Sequence, residues 1–109
     1  MEKSLKAHQK WLVNFYKDRD WYNYSTLIRL NFLSEEVGEL NRAVRSIELG
    51  RDHPGEANKT ETELQYNLRE ELADCLDQIL IIADKYDIDP QVLIKQSEAK
   101  IKARFNLSE

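Results

Sequence analysis

Thr60–Tyr86 (TETELQYNLREELADCLDQILIIADKY) decides the fold. Thr60 with Glu63 three residues later forms a capping box, in which each side chain meets the other's backbone N–H. Beyond it Leu64, Leu68, Leu72, Cys75, Leu76, Ile79, Ile82, Ala83 and Tyr86 recur at helical spacing, with no Gly or Pro between them. This pattern predicts a long helix with one apolar stripe. Such a stripe needs neighbouring helices to cover it.

Working outward, a second long helix is predicted from an N-cap at Ser25 to Leu49, with Gly50 as its stop. Its stripe is Leu30, Leu33, Val37, Leu40, Val44 and Ile47. Between the two long helices, residues 51–59 form a polar loop, a flap or a plain surface connection. Upstream, a helix from about Glu2 to Asp18 carries Leu5, Leu12 and Phe15, with Trp11 and Tyr16 beside them, and residues 18–24 read as a connection. Downstream, Asp89-Pro90 pairs an N-cap acid with a first-turn proline, and Ile88 with Leu93 suits a hydrophobic staple. That helix runs through Leu93, Ile94 and Ile101 to about Phe105. The expectation is an all-α, four-helix bundle-like chain, one domain over residues 1–109. The outer helices have thinner stripes, so the long pair keeps apolar surface for a second subunit, which favours a homo-oligomer.

Composition agrees. Of 109 residues 41% are hydrophobic and 33% charged, with three Gly and two Pro; this is enough apolar residue for a core and too few breakers for a many-turned β fold. A single Cys excludes an intrachain disulfide and a Cys-based zinc site. The net charge of −4 gives no electrostatic case for a nucleic acid polymer. The longest apolar run, Ile79–Ala83, is far too short for a membrane span. The polar start Met1–Lys6 has no apolar stretch of signal-peptide length behind it. A soluble, cytoplasmic protein is the expectation.

The residues that carry chemistry are acids in the middle of the long helices. One helix has Glu35-Glu36-Val37-Gly38-Glu39, the other Glu70-Glu71-Leu72-Ala73-Asp74 with Asp77 beyond. They lie well past the first turn, so the helix dipole does not account for them. At about 100° per residue, Glu36 and Glu39 fall roughly 50° and 110° from the centre of one stripe, and Glu35 points outward at roughly 150°. Glu71 sits at the edge of the other stripe with Asp74 about 60° further round, while Glu70 and Asp77 point more nearly outward. If the two shoulders meet, four carboxylates converge, and only a cation makes that tolerable. Oxygen ligands without His or Cys suit Mg²⁺ or Mn²⁺, and Mg²⁺ is commonly completed by water and substrate phosphates. A mid-helix Gly38 is consistent with a close neighbour needing room. The plainer reading is that each Glu-x-x-Glu or Glu-x-x-Asp is a solvated face, and from the residues alone both readings stand. No Glu-x-x-His pair or glycine-rich phosphate loop is present. His8 and His53 read as ordinary histidines, and Cys75 as inert packing.

Taken together, Ser34–Leu40 (SEEVGEL) and Glu70–Leu76 (EELADCL) resemble the MazG-like all-α nucleoside triphosphate pyrophosphohydrolases. The resemblance spans roughly residues 9 to 105, and Phe15–Trp21, with Arg19-Asp20-Trp21, is similar to the dCTPase-like members. It implies Mg²⁺-dependent hydrolysis of a nucleoside triphosphate, in the first place a deoxynucleotide, to NMP and pyrophosphate, in the service of nucleotide-pool house-cleaning. It implies that Glu36, Glu39, Glu71 and Asp74 hold the metal, with Glu35 assisting or orienting the water. It also implies that Lys100 and Arg104 meet the triphosphate, that Phe15 and Trp21 meet the base, and that the protein is a homodimer or homotetramer. For Lys100 and Arg104 the plainer reading is a solvated basic helix end; for Phe15 it is core. The Trp that some members carry beyond the third Glu is absent, with Ser46 and Ile47 in its place, so their base preference does not transfer. Two other readings remain: a non-catalytic helical interaction module, and a metal-storage or sensor bundle.

Overall fold

The computed structural model describes residues 2–50 and 59–108. Over these the chain is four helices: α1 (Leu5–Asp18), α2 (Thr26–Leu49), α3 (Glu61–Lys85) and α4 (Pro90–Arg104). No strand occurs among the described residues. His53 and nearly all of the predicted loop lie outside them.

The predicted starts hold where a side chain caps. Ser25 Oγ accepts from Ile28 N at 3.3 Å, and Asp89 Oδ1 accepts from Gln91 N at 2.9 Å. Thr60 and Glu63 close the capping box in both directions, at 2.9 and 3.1 Å, and these bonds hold the Glu63 carboxyl below its ordinary pKa. Gly50 ends α2 at φ 73°. Two boundaries differ from expectation. α1 starts at Leu5 rather than Glu2, because Ser4 Oγ accepts from Ala7 N; Tyr86 falls outside α3 and is exposed.

The ends of α1 and α3 are closed without glycine. Asp20 and Asp87 take the left-handed conformation, φ 61° and 57°. After Asp87, Ile88 N donates to Ala83 O at 2.9 Å, while Asp87 N donates to Asp84 O at 3.0 Å; after Asp20, Trp21 N donates to Tyr16 O at 2.9 Å and Asp20 N to Lys17 O at 3.2 Å. Both are Schellman motifs, with an aspartate where glycine is usual. Asn106, at φ 54°, ends α4 similarly, with Leu107 N on Lys102 O.

The chain forms two compact units. One takes in the chain up to Tyr24 and from Leu80 onward. Here α1 packs on α4, and Leu12, Val13 and Tyr16 close around the fully buried Ile81. Gln9 is 1% exposed; its Nε2 donates to Leu80 O at 2.9 Å and to Ile88 O at 3.5 Å, which fastens α1 to the end of α3. Leu5 of the predicted α1 stripe, and Trp11 beside that stripe, are exposed instead. The connection after α1 is held by the Tyr22 hydroxyl, which donates to Asp84 Oδ2 at 2.6 Å, and by Lys85 Nζ, which donates to Tyr22 O. Burial and that hydrogen bond push the Tyr22 pKa up to about 12.

The other unit, Ser25–Ile79, contains α2 and most of α3. Its packed face corrects the predicted stripes. On α2 the sheltered positions are Arg29, Leu33, Glu36, Leu40, Ala43 and Ile47, while Leu30, Val37 and Val44 are exposed. On α3 Glu71, Cys75 and Gln78 are sheltered, and Leu72, Leu76 and Ile79 face out. The seam lies about one residue's rotation from the apolar maximum of each helix. Four polar side chains therefore sit in it, and the apolar rows are left uncovered in a single chain.

Candidate metal centre

That rotation changes where the acids stand. Glu36 and Glu71 are in the packed face rather than on its shoulder. Arg29 Nη1 donates to Gln78 Oε1 at 3.3 Å, and Glu36 approaches Glu71, so α2 and α3 run antiparallel along this seam. Seven residues on along α2 and seven back along α3 lie Glu36 and Glu71.

Glu36, Glu71 and Asp74 each bring a carboxylate oxygen to within 4.8 Å of the others, and all three are half-buried. Burial raises the pKa of Glu36 first, followed by the charges of Asp74 and Glu71, a hydrogen bond with the Asp74 carboxyl, and Glu39. Burial likewise leads the rise at Glu71, with Asp74, Glu39 and Glu70 adding to it and Arg42 opposing it. Glu71 Oε2 is buried and has no hydrogen-bond partner among the described residues. A buried carboxylate oxygen without a donor is costly unless something positive meets it. The three-oxygen set with this orphan fits a hard divalent cation.

The remaining predicted site residues are placed as follows. Glu39 lies outside the tight group, half-exposed, with Arg42 Nη1 at 3.8 Å from its carboxylate. Glu35 and Glu70 are exposed. A Cβ at Gly38 would meet nothing within 4 Å, so among the described residues no neighbour requires glycine there. Cys75 is buried, as expected, and burial followed by the nearby carboxylates raises its thiol pKa. Phe15, Trp21, Lys100 and Arg104 belong to the other unit. Phe15 and Trp21 meet edge to face at 5.8 Å, with the Arg19 guanidinium 5.0 Å from the Phe15 ring. Trp21 also packs edge-on against Tyr16 at 5.5 Å, the apolar contact that accompanies a Schellman motif. Lys100 and Arg104 are exposed along α4. Sequence reasoning missed Arg29 and Gln78; the available signal was that they stand one heptad from Glu36 and Glu71.

A profile of the MazG nucleotide pyrophosphohydrolase domain matches residues 25–106, which takes in α2, α3 and α4. The chain belongs to the MazG family. The relative titled "Uncharacterized protein YvdC", from Bacillus subtilis (strain 168), is 41% identical over 101 residues, 93% of this chain and 95% of its own length. The MazG match contains both acidic motifs whole, and with them Glu36, Glu71 and Asp74.

Proposed function

We propose that the protein is a Mg²⁺-dependent nucleoside triphosphate pyrophosphohydrolase of the MazG type, over residues 1–109, acting on deoxynucleotides to give NMP and pyrophosphate. The observation that carries this is the half-buried group Glu36, Glu71 and Asp74 with its partnerless Glu71 oxygen, inside the segment matched to a nucleotide pyrophosphohydrolase domain. These three, with Glu39 at the rim, would hold the ion, Mg²⁺ or Mn²⁺. When bound, it would polarise a phosphate oxygen and lower the pKa of a water. The chain's own part is to hold the three carboxylates close together, where burial and their mutual charge raise the pKa of Glu36 and Glu71 and a cation would lower them again. Glu35 is free to orient the attacking water.

Two further assignments complete the proposal. Phe15 and Trp21, with Arg19 beside them, are proposed as the base-recognising aromatics of a dCTPase-like pocket. Lys100 and Arg104, on one face of α4, are proposed as triphosphate ligands. Exposed apolar rows on α2 and α3 support a homodimer or homotetramer. No helix is long and apolar enough to cross a membrane; we place the protein in the cytoplasm, in nucleotide-pool house-cleaning. The test is hydrolysis of each common dNTP in ¹⁸O-labelled water with Mg²⁺. Label in NMP alone supports attack at the α-phosphorus; label in orthophosphate refutes it. Metal binding without turnover would favour a sensor, and neither would favour an interaction module.

A further inference from the structure

A buried polar pair stands one heptad along the α2/α3 seam from the acids. Arg29 is 3% exposed, and its guanidinium reaches Gln78 and lies over the Phe32 ring at 5.1 Å. Arginine is almost never this buried unless it is held by partners. In antiparallel helices equal and opposite steps stay level, and seven residues return to the same face. Arg29 with Gln78 and Glu36 with Glu71 are thus successive layers of one seam. A further step reaches Ala43, 1% exposed, and Leu64. The intervening positions Leu33 and Leu40 are leucines, which accept many facing partners. A buried guanidinium accepts few, because water cannot supply its acceptor there: a slip takes Gln78 away, and in one direction offers Glu71 instead, which that pairing would draw out of the cluster. A slip by one heptad would set Glu36 level with Leu64 or with Gln78 and so disperse the carboxylates.

We infer that Arg29 and Gln78 lock the register of α2 against α3, which makes Arg29 a positioning residue for the carboxylate cluster. The inference rests on reading that cluster as a metal centre. Single buried polar residues fix register in this way in coiled coils, at a cost in stability.

The experiment titrates Mn²⁺, read by electron paramagnetic resonance, into wild type, Gln78→Leu, Arg29→Lys and the double variant Arg29→Met/Gln78→Leu, each with its thermal midpoint. The double variant, with an apolar layer in place of the polar one, is expected to melt at or above wild type yet bind Mn²⁺ about ten- to a hundredfold more weakly. Gln78→Leu should weaken binding in the same direction, and Arg29→Lys should recover most of it. Both are close in volume to the residues they replace and carry the test if the double variant is unstable. Wild-type Mn²⁺ affinity in folded Gln78→Leu or in the double variant overturns the inference. Register is read separately from spin labels on the exposed positions Arg45→Cys and Thr62→Cys, in a Cys75→Ser background. One narrow distance in the wild-type layer and a broadened or shifted one in the double variant support the lock; identical distributions refute it. Failure of wild type to bind Mn²⁺ while the distances still shift would count against the metal centre and leave the register lock standing.

Discussion

Glu71→Gln should make the metal-free protein more stable while removing its metal response. The substitution takes one charge from three carboxylates that lie within 4.8 Å of one another. At that distance two full charges repel by about 3 kcal/mol at an effective dielectric of 20. Burial and mutual charge raise the pKa of Glu36 and Glu71 above the ordinary 4.5, and solvent reaches the rim of the cluster. A third to a half of the full repulsion is the realistic share, about 1–1.5 kcal/mol, or about 4–8 °C in Tm for a domain of this size. The new amide can also donate to a neighbouring carboxylate. The sign with pH follows from the direction of the shifts. Below the ordinary carboxylate pKa the acids are protonated in both folded and unfolded chains, and the repulsion is absent. As pH rises from there through the raised values, the folded state holds the extra protons and wild type loses stability. The gap between Glu71→Gln and wild type should therefore be small in mild acid and open toward neutral pH. Calorimetric melts across that range, with chelator and with Mg²⁺, measure it. Mg²⁺ should raise the wild-type midpoint and leave the variant's unmoved. A variant less stable than wild type in chelator at neutral pH, or equal stabilisation of both by Mg²⁺, would refute the reasoning.

Three other outcomes are expected. Glu36→Gln and Asp74→Asn should each abolish Mg²⁺-dependent turnover with helical circular dichroism intact, whereas Glu70→Gln should be nearly silent in the same rate assay. Asp87→Gly should stabilise by up to about 1 kcal/mol in denaturant unfolding, because glycine takes the left-handed C-terminal position without the strain an L side chain meets; an unchanged or lower midpoint would argue against the motif. Trp21→Ala should raise KM for a preferred dNTP about tenfold with a smaller change in kcat; a lowered melting midpoint with unchanged KM would leave Trp21 a packing role alone.

The parts of this fold that were legible in the sequence are those that local chemistry decides. Ser25, Thr60 with Glu63, and Asp89-Pro90 act within a few residues of themselves, and the structure uses all of them. Asp20, Asp87 and Asn106 are as local, but aspartate and asparagine are common for many other reasons, so only Gly50 stood out. The rotation of the helices was harder. A periodicity count gives weight to apolar residues alone, and it put Val37 and Leu76 inward and Glu36 at the shoulder. The seam instead holds Arg29, Glu36, Glu71 and Gln78, and a count of apolar residues has no means of weighing a polar pair such as Arg29 with Gln78 that meets across it. Val37, 44% exposed, is left for whatever covers the long pair. The convergence of the acids was readable as two spaced motifs. The partnerless oxygen of Glu71 that turns a charged patch into a candidate centre needed coordinates.

The central claim is that the Glu36–Glu71–Asp74 group is the metal site of a nucleotide pyrophosphohydrolase. Pyrophosphate release from the four dNTPs, measured in Mg²⁺ and in chelator for wild type and Glu71→Gln side by side, tests it most directly. The account predicts pyrophosphate from wild type with Mg²⁺ only, and none from the variant under either condition. Pyrophosphate from folded Glu71→Gln at the wild-type rate, or none from wild type with any of the four, would contradict it.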